Sequence, residues 1–198
     1  MNGWRLVITL LSLLSPAYTL PPALLDSTVT SPAPAIAAPA PAAIVPAPAD
    51  MVLLSDDQLR RLIAEDVTAL GSVSIGFPSG GVLLNGRQMT SGPLWDVVNP
   101  AESWGTEETV AFVETAIRAV HTVYPDSHPL YIGDISEDDG GRLNRHLTHQ
   151  AGRDVDLGFY FKKGQGAWRA NGTARNLDLP RNWALVRALV VHTDVETI

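Results

Sequence analysis

The sequence predicts an α+β fold in which helices flank a small central antiparallel sheet that carries the site. Three observations predict it. A periodic helix starts at Thr106; Arg153 to Phe161 alternates apolar with polar or small residues as a strand does; and Val82-Leu83-Leu84 runs into Asn85-Gly86. Asn-Gly between apolar runs is the strongest short-range hairpin signal, because both residues accept the positive φ of a type I′ turn.

The elements follow in order. Met1 to Leu20 places Arg5 ahead of an apolar run from Leu6 to Leu14, with small residues at Ser15 and Ala17. This is the tripartite pattern of a secretory signal peptide, read here as residues 1–17. The run is short for a membrane span, which takes about 20 residues; an uncleaved N-terminal anchor is the alternative. Residues 18–50 are dominated by Pro and Ala, as in Ser31-Pro-Ala-Pro-Ala-Ile. Proline removes backbone donors and fixes φ, so an extended, semi-rigid spacer is expected. Residues 51–198 leave 148 residues (198 − 50), enough for one domain with a core of its own. There is no cysteine, so neither a disulfide framework nor a lipid-anchored cysteine is available. Periplasmic or secreted placement in a bacterial-type cell envelope fits, with no membrane span left once the leader is removed.

The net charge of −7 and the lack of a Lys/Arg cluster give no support to a nucleic-acid footprint. Nothing in the sequence speaks to oligomeric state.

Within the domain, Ser55-Asp-Asp-Gln58 reads as a capping box, opening a helix with Leu59, Leu62 and Ile63 on one face and ending near Asp66. Gly71 to Gly76 alternates as a half-buried strand does. In the helix from Thr106, Glu107 and Glu108 occupy the first turn, where the dipole favours negative charge, and Val110, Val113, Ile117 and Val120 form the buried stripe. Leu130-Tyr-Ile132 is a short strand, Glu137 to Gly141 a loop, and Arg153 to Phe161 a strand. A last helix spans about Pro180 to His192, with Leu185, Ala188 and Leu189 inward.

The chemistry concentrates between those two strands. His146 and His149 sit three apart, and Asp156 follows His149 by seven. Zinc takes nitrogen and carboxylate ligands, and its catalytic sites use three protein ligands and a water. Gly152 lets the backbone turn. Asp154 and Asp156 share one strand face by the period of two, so Asp156 can point at a metal while Asp154 supports a ligand or binds backbone. Two solvated histidines and an exposed Asp-Val-Asp face are the bland alternative from spacing alone.

Over a longer stretch, Gly133-Asp-Ile-Ser, Gly140-Gly141 and His146-Leu-Thr-His149-Gln-Ala-Gly-Arg-Asp-Val-Asp156-Leu-Gly-Phe-Tyr resemble the penicillin-insensitive murein endopeptidases. The likeness begins near Ser72-Val-Ser-Ile-Gly-Phe-Pro and includes Trp104-Gly-Thr. This family is similar to the wider LAS/hedgehog-type zinc peptidases, which include D-Ala-D-Ala dipeptidases and lysostaphin-like enzymes. The resemblance implies that fold, Zn2+ as cofactor, and His149 and Asp156 as ligands. It makes His146 a further metal-site residue, as supporting group or as ligand of an additional ion. It also implies hydrolysis of peptide cross-links in peptidoglycan.

The sequence departs from the family in one respect. These enzymes draw a third ligand and a catalytic histidine from a downstream His-x-His, whereas His192 is the one histidine after Asp156. Residues 51–198 are therefore expected to lack the C-terminal segment, with Val195-Glu-Thr-Ile198 as the start of a core strand. A rearranged site in a whole protein is the alternative. No catalytic residue is assigned, His192 is expected to cap its own helix, and the chain is expected to be inactive and marginally stable. A non-catalytic envelope domain that binds peptidoglycan or metal weakly is the competing function. A carboxypeptidase differs only in substrate.

Overall fold

The computed structural model describes residues 6–10, 55–143, 145–163 and 167–198. The Pro/Ala spacer and most of the expected leader fall outside these. Helix α1 (Asp56–Glu65) opens on the expected reciprocal cap: the Ser55 N–H donates to Gln58 Oε1, and the Gln58 N–H to Ser55 Oγ. Its apolar face is thinly covered, with Leu62 half-buried and Ile63 exposed.

Two strands, β2 (Val73–Phe77) and β3 (Gly80–Leu84), then pair antiparallel from Val73↔Leu84 to Phe77↔Gly80. The hairpin therefore turns at Pro78-Ser79, not at Asn85-Gly86 as the sequence suggests. Asn85 does adopt φ 51°. Its side-chain amide, however, donates to the carbonyls of Val67 and Gly71, fastening the end of β3 to the preceding 3-10 turn. The chain continues into β4 (Arg87–Gln88), which pairs with β6 (Trp104–Gly105) rather than folding back on β3. In β2 the buried side is the polar one: Ser74 is inside, while Ile75 and Phe77 are exposed.

The main sheet has the order β5-β7-β8-β1-β9, from β5 (Trp95–Val97), β7 (Leu130–Ile132), β8 (Asp154–Leu157), β1 (Leu6–Leu10) and β9 (Val195–Thr197). It is mixed rather than antiparallel throughout. Only β7 and β8 run antiparallel, meeting at Ile132↔Leu157; β5–β7, β8–β1 and β1–β9 are parallel. The backbone of Leu6–Leu10, inside the expected leader, thus lies between β8 and β9. The strand expected over Arg153–Phe161 ends at Leu157, because β7 is three residues long and offers past that point only the Tyr131 carbonyl, to the Gly158 N–H. Strand β9 is at the sheet edge, with Val195 partly buried and the rest exposed.

Two helices cover the sheet and pack on each other: α2 (Glu107–Val123) and α3 (Leu179–His192). Thr106 Oγ1 accepts from the Thr109 N–H to cap α2, and Asp178 Oδ1 from the Arg181 N–H to cap α3. Val110, Val113, Ile117 and Val120 are wholly buried, as are Ala188 and Leu189, with Leu185 nearly so. Each large aliphatic side chain so buried contributes about 1.5–3 kcal/mol. They pack with Leu130, Ile132, Val155 and Leu157 in one core, which holds the backbones of β7 and β8 in place at the base of the site.

Candidate metal centre

The loop between Glu137 and Arg153 carries both site histidines, and separate parts of the fold tie it down. From the β2–β3 hairpin, Ser74 Oγ donates to the Ala151 carbonyl at 2.6 Å, and the Pro78 carbonyl accepts from the Gln150 N–H at 3.0 Å. The Gly76 carbonyl accepts from Arg153 Nη2. From the start of α2, the Thr106 N–H donates to the Gly152 carbonyl at 3.0 Å. This explains why β2 turns Ser74 inward: the buried Ala151 carbonyl needs a donor more than Ile75 needs cover.

Gly152 takes φ 66°, as expected, but so does a non-glycine: His149 has φ 63°. The left-handed region is costly for a residue with a Cβ. Asp154 offsets that cost, its Oδ2 accepting from the His149 N–H at 3.0 Å while lying 2.9 Å from His149 Nδ1. On the opposite side of the ring, His149 Nε2 lies 3.3 Å from Asp156 Oδ1. Asp154 and Asp156 are therefore on one face of β8 and hold the His149 ring between them, all three being buried. Burial alone would keep the imidazole neutral, but the two carboxylates prevail and raise its pKa to about 10.

His146 joins from the loop, its ring edge-on to that of His149 with centroids 4.9 Å apart. Donor atoms of His146, His149 and Asp156 all lie within 4.8 Å of one another, the one such group among the described residues. The three residues singled out by sequence are thus brought together, whereas His192, in the last turn of α3, is not part of the cluster.

The donor set suits zinc. Two donors each about 2.0–2.1 Å from a tetrahedral ion stand about 3.3–3.4 Å apart, and His149 Nε2 and Asp156 Oδ1 are 3.3 Å apart. Asp156 Oδ1 is shielded from solvent yet accepts no hydrogen bond. The two carboxylates facing His149 favour positive charge at this position, which a divalent cation supplies.

The cluster opens on a groove of about 620 Å³ lined by His146 and Asp156 and by the aromatic side chains of Phe159, Phe161 and Trp168. Gly133 makes room for this wall: a Cβ there would come within 2.6 Å of the Trp168 ring and 2.8 Å of Asp156 Cβ. Sequence reasoning missed Trp168 and the groove's acidic edge. Asp134, inside the quoted Gly-Asp-Ile-Ser, is buried, with Oδ2 3.0 Å from His146 Nε2 and Oδ1 accepting from Arg145 Nη2 at 3.1 Å. Arg145 also bonds Glu102, whose pKa is raised by burial and by the nearby Asp134. The signals for Asp134 were an acidic residue behind the glycine that follows a short strand, and its place in the Gly-Asp-Ile-Ser stretch of the resemblance.

Fold and site together define an α+β protein whose buried His/Asp cluster is a candidate metal centre at the head of a ligand-sized groove. Residues 74–195 match the family model of the penicillin-insensitive murein endopeptidases, and the chain belongs to that family. No curated protein matches the chain. The family is one of metallopeptidases that act on murein, so peptidoglycan is the substrate polymer and the cell envelope the setting that membership implies. No helix among the described residues is long and apolar enough to cross a membrane.

Proposed function

We propose that this chain is an exported zinc peptidase domain directed at the peptide cross-links of peptidoglycan, with His149, Asp156 and His146 holding the ion. The convergence of these three side chains at the groove carries the reading. When bound, zinc polarises the scissile carbonyl and lowers the pKa of a water. The chain's own residues supply the rest. Asp154 fixes the His149 ring from the far side. Asp156, anchored in β8, contributes negative charge that balances the ion. The Phe159, Phe161 and Trp168 wall takes the peptide and excludes water from the reacting bond. Residues 1–17 act as the leader, so the strand pairing of Leu6–Leu10 with β8 and β9 belongs to the chain before that leader is removed, and the Pro/Ala spacer gives the domain reach toward a polymer lying away from the membrane.

A second reading applies to these 198 residues taken alone. His192, the one histidine after Asp156, lies outside the cluster. No side chain of the family's His-x-His is therefore available to shuttle the proton from water to the leaving amine. We propose that the 198-residue chain by itself binds zinc and murein peptide with little or no turnover.

One experiment addresses both readings. The purified chain and its His149→Ala variant are titrated with zinc and then incubated with purified peptidoglycan. We expect zinc bound by the wild type and not by the variant, binding of both proteins to the polymer, and no soluble muropeptides. Zinc-dependent release of muropeptides, lost in His149→Ala, would overturn the second reading and strengthen the first. Wild type that takes up no zinc would overturn the metal assignment.

A further inference from the structure

Asp134 has no part in the proposed ligand set, yet it is buried to 8% side-chain exposure against the groove. Burying a carboxylate costs several kcal/mol unless it is paired. Both Asp134 oxygens are committed, one to Arg145 and one to His146. The contact with His146 Nε2, at 3.0 Å, is a close polar approach rather than an aligned hydrogen bond. The backbone places the carboxylate firmly. The Gly133 N–H donates to the Asp156 carbonyl at 2.7 Å, and the Asp156 N–H donates to the Asp134 carbonyl at 3.0 Å, so Asp134 and Asp156 are locked side by side. Arg145, itself fastened by Glu102, holds the side chain from the other end.

His146 therefore differs from His149 in what steadies it. His149 is gripped at its backbone and on both sides of its ring; His146 is part-exposed, on a loop, and has a carboxylate at one ring nitrogen. A carboxylate beside one imidazole nitrogen favours the proton on that nitrogen, leaves the other with its lone pair, and sets the ring's orientation.

We infer that Asp134 is the positioning residue for His146: it places the proton on Nε2 and holds the ring toward the donor cluster, with Arg145 and Glu102 as its anchors. The consequence for metal affinity rests on the proposed function; the consequence for the ring does not.

The full chain is labelled with 15N and the histidine rings are read by long-range 1H–15N correlation in mildly alkaline, metal-free solution, for the wild type, Asp134→Asn and Asp134→Ala. His146 of the wild type is expected to show one tautomer, protonated at Nε2. The preference weakens in Asp134→Asn and disappears in Asp134→Ala, while the His149 signals stay in place and the circular dichroism is unchanged. A His146 pattern identical in the wild type and the variants overturns the inference. If Asp134→Ala does not fold, the Asn variant decides it alone. Titration with Co2+ is the second arm, and its visible absorption should show affinity tenfold or more weaker in Asp134→Ala. Equal affinity with an unchanged spectrum also overturns the inference. A wild type that binds no cobalt overturns the metal reading, and the tautomer measurement still decides the role of Asp134.

Discussion

The inner and outer histidines of the site are built on opposite principles. His149, Asp154 and Asp156 form a buried triad in which every partner comes from β8 or the loop that leads into it. His146 belongs to a chain of polar contacts, Glu102–Arg145–Asp134–His146, that is drawn from distant parts of the sequence and whose last three members line the groove. The inner group holds geometry because water cannot compete for its contacts. The outer group trades that rigidity for access, so it is where a substrate can be felt.

The largest effect should come from breaking the inner group. His149→Ala leaves two carboxylates buried without a counter-charge. It is expected to cost about 3–5 kcal/mol of stability and to abolish zinc uptake, as checked by urea unfolding and metal analysis. Asp154→Asn keeps the shape but weakens the grip on His149, and should lower zinc affinity about 10–100-fold, measured by chelator competition.

The pH dependence sharpens the contrast. His149 has its folded pKa raised to about 10, from an ordinary 6.5. In that window the folded state binds more protons than the unfolded state, so stability falls as pH rises. The stabilisation is fully present below about pH 6.5 and is lost as pH rises through about 10. Thermal melts of the metal-free protein should therefore decline from neutral toward alkaline pH, and saturating zinc should flatten that decline. A flat profile without metal would show that the inner group carries no extra proton.

Smaller effects probe the supports. Ser74→Ala orphans the buried Ala151 carbonyl and should cost about 1–3 kcal/mol, with zinc affinity falling because the loop is loosened. Arg145→Gln removes a half-exposed cation but keeps an amide donor in reach of Asp134, so its global stability change should stay within about 1 kcal/mol. An Arg145 effect as large as that of His149 would collapse the distinction between the two groups.

Much of this was legible in the sequence where the physics is local. The Ser55 cap, the helix start at Thr106 and the stripe Val110–Val113–Ile117–Val120 depend on neighbours three or four residues away, and they appear as read. The pairing of His149 with Asp154 and Asp156 also follows from a short loop and a strand's period of two. The misreadings share one cause. Asn85-Gly86 carries a turn signal, but the Asn85 amide found carbonyls 14 and 18 residues back. Ser74 faces inward because of a carbonyl 77 residues ahead. Asp134 meets Arg145 and His146 across a strand register that no local pattern encodes.

The sequence by itself determined which residues are candidate metal ligands and which stretches become helices, because spacing and capping are properties of a few consecutive residues. Only the tertiary structure decided which carboxylate stands beside His146, which face of β2 is buried, and which aromatic side chains wall the groove. Those contacts arise when separate strands and loops close on one core. Their partners are then chosen by register and by the need of each buried polar group for a donor or an opposite charge.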